Sequence, residues 1–185
     1  MLPNQVKTDA RRVLCPVAEC EAGYNLKAAF PDFPQVLQQW QQATAAIADT
    51  LLANKENYAL LMTLEMGKLR REALAEVEKS ALVCRFYADN AAQQLAPETI
   101  ASDASHSYVR FEPLGVLLGV MPWNYPFWQV FRYVAPALMA GNGCVLKHAS
   151  NVPQCALAVE QVCRDAGLPQ NLFRTLLIKS RDVDA

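Results

Sequence analysis

Between Gly115 and Ala166 the sequence switches repeatedly between strand and helix periods, and this alternation constrains the fold more than any other feature. Gly115 to Met121 (GVLLGVM) is an apolar run bounded by turn residues and too short for an ordinary helix. Pro126 opens a stretch to Ala140 that Gly141 closes, with proline near the start and glycine past the end, as helices prefer. Gly143 to Leu146 is strand-like again, and Val152 to Ala166 has helical period and stops at Gly167 and Pro169. Strands alternating with helices of this length imply right-handed crossovers and a parallel sheet with helices on its faces. Leu172 to Ile178 reads as a third strand. The expected class is α/β.

Upstream the character differs. The first 35 residues show no steady period and contain Pro3, Pro16, Pro31 and Pro34, which predicts irregular structure. From about Gln35 to Met66 the chain is rich in Gln, Ala and Leu and lacks Gly and Pro, predicting one long helix or two consecutive ones broken near Asn54 to Asn57, with Gly67 as the stop. A further helix is predicted from about Arg71 to Gln94. Its apolar stripe is Leu74, Val77, Ala81, Cys84 and Ala88, and its charges Glu72, Glu76, Lys79 and Arg85 mostly occupy other faces, which reads as helical scaffold. Ser107 to Glu112 reads as a strand. No repeat or low-complexity tract breaks the chain into smaller units.

Composition excludes several classes of function. The 185 residues suit one domain with a real core, being 52% hydrophobic and 19% charged. A net charge of -1 gives no electrostatic reason to bind nucleic acid or an anionic membrane. The six cysteines form no CxxC pair and the two histidines lie far apart, so no metal site is expected. Lys7, Asp9, Arg11 and Arg12 interrupt the N-terminus, which therefore lacks the apolar core of a signal peptide. No later segment approaches a membrane span. The expected location is cytoplasmic, where buried thiols usually serve packing.

Ligands of an open parallel sheet bind beyond the carboxyl ends of its strands. The informative residues are therefore Pro122, Trp123 and Asn124 after the first strand, and Lys147, His148, Ala149 and Ser150 after the second. Neither turn carries GxGxxG, so the usual dinucleotide phosphate loop is not supported. Asn124 has two readings, an N-cap for the helix that Pro126 opens or a ligand-facing amide. Lys147 has two as well, a solvent-facing strand end or a donor to a ribose hydroxyl or phosphate.

The run EPLGVLLGVMPWNYPFWQVFRYVAPALMAGNGCVLKHAS resembles the aldehyde dehydrogenase superfamily, whose P-W-N-[FY]-P, A-P-A-L-x-A-G-N and K-[PH]-[AS] motifs follow in this order and spacing. Upstream, Leu64, Glu65, Met66, Gly67, Lys68, Glu72, Ala73 and Glu76 are similar to the family's E-x-G-K-P-x-x-E-A-x-x-E junction, and the likeness runs from about Ala45 to Phe173. W-Q-V, L-K-H-A and D-A-G-[LI]-P-Q are shared with bacterial succinate semialdehyde dehydrogenases.

The resemblance implies a partial Rossmann-like parallel sheet with covering helices and an N-terminal helical segment. It implies that residues 1–185 form part of an NAD(P)-binding domain, that about 101–112 resembles a strand of the oligomerisation arm, and that the catalytic domain is absent. It also implies a reaction in which a cysteine thiolate attacks an aldehyde, hydride passes to NAD or NADP, and a glutamate activates water. Carried over, Asn124 matches the oxyanion-hole amide, Pro122 and Trp123 line the cofactor cleft, and Lys147 binds the adenosine ribose. Many NAD-preferring members have Glu where this chain has Ser150. A neutral side chain there removes repulsion of a 2′-phosphate, so NADP is expected to be accepted at least as well as NAD. Tyr125, Trp128, Gln129 and Arg132 share one helix face by spacing and are expected to look into one cavity. Arg132 matches the arginine with which succinate semialdehyde dehydrogenases hold the substrate's far carboxylate.

The pattern is incomplete. The family's E-G-Q-x-C, E-L-G-G and F-T-G-S motifs do not occur, and the N-P-x-T-G-E opening is missing too. The chain is therefore expected to be a truncated oxidoreductase, inactive alone, with an unpaired edge strand and an uncovered apolar face. The alternative is a noncatalytic nucleotide-binding or subunit-interaction module, partnered by a second copy or a full-length paralogue.

Overall fold

The computed structural model describes residues 33–103 and 107–183. The predicted irregular N-terminus, with Cys15 and Cys20, lies outside the described residues. The first helix, α1, spans Phe33–Ala53 and is followed after Asn54 by α2, Lys55–Met66, so the expected break falls where the two asparagines stand. Gly67 ends α2 with φ 74°, and its N–H returns to the Thr63 carbonyl. This left-handed cap needs glycine because a Cβ would strain it. Helix α3 spans Arg70–Gln94. A two-residue antiparallel hairpin follows, β1 Glu98–Thr99 with β2 Tyr108–Val109. The predicted strand over Ser107 to Glu112 is thus shorter than expected, since exposed Arg110, Phe111 and Glu112 find no neighbouring strand among the described residues.

The predicted alternation then follows in order: β3 Val116–Met121, α4 Trp128–Met139, β4 Gly143–His148, α5 Pro153–Asp165 and β5 Phe173–Thr175. The strands are parallel in the order β3-β4-β5. Because sequence order and spatial order agree, crossovers of one hand place α4 and α5 on the same face of the sheet. Both indeed pack against α1, and α2 and α3 add to that layer. Among the described residues the predicted helices thus cover one face of the sheet.

Register shows which side chains meet that layer. Leu117, Gly119 and Met121 stand beside Cys144, Leu146 and His148 and face the core. Val116, Leu118 and Val120 point the other way and are 44%, 51% and 55% exposed. Gly119 leaves room for the Tyr133 ring, and the Tyr133 hydroxyl donates to the Leu117 carbonyl at 2.6 Å, drawing α4 against β3. The main core gathers Ile47, Leu51, Met62, Val77, Cys84, Phe127, Phe131, Val134, Leu146 and Val159. Each large member contributes about 1.5–3 kcal/mol by leaving water. A smaller cluster, Leu37, Trp40, Ala91 and Met139, joins α1 to the far ends of α3 and α4.

Candidate active site

Met121 and His148 are register partners, so the segments leaving β3 and β4 emerge side by side. Pro122, Trp123 and Asn124 therefore lie beside Ala149 and Ser150 at one edge of the sheet, the edge where ligands bind in such folds.

The segment after β3 is fixed by three side chains from elsewhere. Lys68, in the turn between α2 and α3, donates from Nζ to the Asn124 carbonyl at 2.9 Å and pairs with Glu76 of α3. The other carboxylate oxygen of Glu76 accepts the backbone N–H groups of Phe127 and Trp128 at 2.9 and 3.0 Å. His148 Nε2 donates to the Pro126 carbonyl at 2.9 Å, while its Nδ1 accepts the Ala149 N–H. Both members of the ion pair are buried, with side chains 7% and 1% exposed.

These contacts speak against the N-cap reading of Asn124. Helix α4 begins at Trp128, its N-cap is Phe127, and no side chain of that residue caps it. Glu76 does so instead, from 51 residues away, placing a carboxylate at the positive end of the helix. Asn124 is no cap. Its side chain is exposed and makes no hydrogen bond among the described residues, while its carbonyl is held from behind.

Tyr125 and Trp128 each carry a cation over the ring, Lys68 Nζ at 3.8 Å and Lys79 Nζ at 4.1 Å. Arg132 is exposed and has no ion-pair partner among the described residues, whereas Gln129 is half-buried. Of the four residues expected to share one face, Tyr125 and Arg132 are thus exposed and Trp128 and Gln129 half-buried.

Lys147 is buried, contrary to the reading of a solvent-facing strand end, and its Nζ donates to Ser180 Oγ at 3.0 Å. Beside it a cavity of about 230 Å³ is lined by Ser150, Pro153, Ala156, Leu177, Ile178 and Lys179, among others. Apolar walls with a hydroxyl and a cation at the rim suit part of a dinucleotide, one flat ring and its sugar phosphate, and the volume is too small for the whole.

The described cysteines offer no nucleophile. Cys84, Cys144, Cys155 and Cys163 are buried. Burial raises every one of these thiols, Cys144 to about 12.

Sequence reasoning missed the roles of Lys68, Glu76, His148 and Lys179. The first two stand within the junction motif quoted above, but the helical stripe of α3 gave Glu76 no sign of burial. Its partners lie 51 and 52 residues further on.

Residues 21–185 match the aldehyde dehydrogenase family, and the chain belongs to it. It is 59% identical over 140 residues to a probable succinate-semialdehyde dehydrogenase [NADP(+)] of Synechocystis sp., covering 76% of this chain and 30% of that protein. It is 52% identical to succinate-semialdehyde dehydrogenase [NADP(+)] 1 of Mycobacterium ulcerans, over 79% of this chain and 32% of that one. Among solved structures it is similar to the succinic semialdehyde dehydrogenase of Streptococcus pyogenes in complex with NADP+, with TM-score 0.81 and 29% identity, covering 98% of this chain and 38% of that chain. The chain thus spans about a third of the length of the curated relatives it matches.

Burial holds His148 below its ordinary value of 6.5, against the opposing pull of its backbone hydrogen bonds and of Glu65 and Glu76. As pH falls, the unfolded chain takes up this proton first. Stability is therefore full above pH 6.5 and declines below it until the folded-state value is passed. Urea unfolding of the chain between pH 8 and 5 should show an acid loss that His148→Gln reduces. Equal slopes in parent and variant would refute the assignment.

Proposed function

We propose that this chain supplies the oxyanion-donor and cofactor-binding part of an aldehyde dehydrogenase that oxidises succinic semialdehyde with NADP or NAD, NADP being accepted at least as well as NAD. In this reading residues 1–185 belong to its NAD(P)-binding domain. One observation carries the proposal: at the carboxyl edge of the sheet the Asn124 backbone is fixed by a buried ion pair while its side-chain amide makes no hydrogen bond among the described residues.

Held this way, the Asn124 Nδ2–H donates to the aldehyde oxygen as negative charge develops there, without having to reorganise at that moment. Trp123 and Pro122 flank the cleft beside it. The bound cofactor supplies the hydride acceptor. Lys147 and Ser180 orient the adenosine ribose, and Ser150 with Lys179 accommodates a 2′-phosphate, since one is neutral and the other cationic. The NADP(+) in the relatives' names supports this preference.

Arg132, exposed and without an ion-pair partner among the described residues, fits the far carboxylate of a dicarboxylic semialdehyde, which a planar fork of N–H donors grips in two places. Tyr125 and Trp128 wall the path to it. With every described thiol buried and protonated, the isolated chain binds and orients but does not turn over. The exposed β1–β2 hairpin and Phe111, 53% exposed, fit an arm that joins further copies or a full-length paralogue.

The test is a full-length chimera in which residues 45–173 replace the matching stretch of the Synechocystis relative. Arg132→Leu should raise KM for succinic semialdehyde at least tenfold more than KM for an uncharged aldehyde, about 1.4 kcal/mol of differential binding. Equal effects on both substrates would remove the assignment. In the same chimera NADP should bind at least as tightly as NAD, and Ser150→Glu should reverse the order. A parent that binds NADP about tenfold more weakly than NAD would contradict the cofactor reading.

A further inference from the structure

The buried ion pair has a feature that stability alone does not require: both its members spend their remaining hydrogen-bonding capacity on one short segment. Lys68 Nζ reaches three groups, namely Glu76, the Asn124 carbonyl and the Tyr125 ring. Glu76 holds the Phe127 and Trp128 N–H groups. The four residues contacted lie within Asn124 to Trp128, and the Asn124 side-chain amide makes no hydrogen bond among the described residues.

We infer that Lys68 and Glu76 are positioning residues for the oxyanion donor, acting through the backbone of Asn124 rather than on substrate. This rests on the reading of Asn124 given above. The carbonyl of Asn124 fixes its peptide plane, and the two N–H groups of Phe127 and Trp128 fix the point at which the segment enters α4. Between these anchors only the Asn124 side-chain torsions remain free, so the amide's position is set to within a rotamer. Neither Lys68 nor Glu76 has an atom left to present to a ligand, because the side chains are 7% and 1% exposed. A shift of the segment by about 1 Å would move Nδ2 out of hydrogen-bond range of the substrate oxygen, and misplacements of this size reduce rates on the order of a hundredfold.

The experiment pairs two readouts. Lys68→Met with Glu76→Met replaces the buried charges by apolar side chains of similar volume and so avoids an uncompensated charge. In the 185-residue chain this double variant should speed hydrogen exchange of the Phe127 and Trp128 amides at least about tenfold, with exchange in α1, α3 and β4 unchanged. In the full-length chimera, with active sites counted by stoichiometric cofactor binding, kcat should fall on the order of ten- to a hundredfold while KM changes little. Lys68→Arg, which keeps the charge and the donors, should recover most of the loss.

A mutational cycle with Asn124→Ala then separates positioning from general stability. If the pair acts through Asn124, removing it in the Asn124→Ala background should lower kcat no further. Multiplicative losses, or unchanged exchange at Phe127 and Trp128, would overturn the positioning role. If Asn124→Ala alone leaves kcat intact, the oxyanion reading itself has failed and this inference falls with it.

Discussion

The Lys68–Glu76 ion pair is the contact through which four parts of the fold are held to one another. Withdrawing two charges from water costs several kcal/mol per ion, which direct pairing recovers only when the remaining lone pairs and protons are also satisfied. Here they are satisfied by the backbone of the segment between β3 and α4. The α2–α3 turn, α3, that segment and the start of α4 therefore meet at this one pair. Loss of one partner would strand the other, at about 3–5 kcal/mol. His148, from β4, ties the same segment to the sheet through the Pro126 carbonyl.

This explains how an exposed asparagine can be held in place without its side chain being engaged. An N-cap asparagine would spend its side chain on the helix it starts. By delegating the cap of α4 to Glu76, the fold leaves the Asn124 amide unbonded at the carboxyl end of β3, where the topology places ligands. A similar delegation occurs at α5, whose first N–H groups, those of Gln154 and Cys155, are accepted by Glu65 of α2. Two carboxylates from the N-terminal helices thus organise the starts of the two helices that cover the sheet.

Much of this was legible in the sequence, and the parts that were not share one physical cause. The β3-α4-β4-α5 alternation and the break near Asn54 follow from local period and turn residues, and the structure has them. By period Glu76 reads as a charge off the apolar stripe of α3, and Lys147 as either a solvent-facing strand end or a donor to a ribose hydroxyl or phosphate; their burial was not legible, because burial of a charged group depends on partners far along the chain that no local pattern encodes. The alternation predicts helices on the sheet's faces without saying which face each takes. The agreement of strand order with sequence order, which puts α4 and α5 together, could not be read from period alone. The exposed Val116, Leu118 and Val120, by contrast, match the expected uncovered apolar face.

In the proposed function the chemistry of this loop rests on a single atom, the Asn124 Nδ2. The most direct test is a crystal structure of the full-length chimera carrying a covalent aldehyde adduct at its active centre. The account predicts Asn124 Nδ2 within about 2.7–3.1 Å of the adduct oxygen, with the Asn124 carbonyl still accepting from Lys68. An Asn124 side chain turned back to cap α4, with another group on the adduct oxygen, would contradict it.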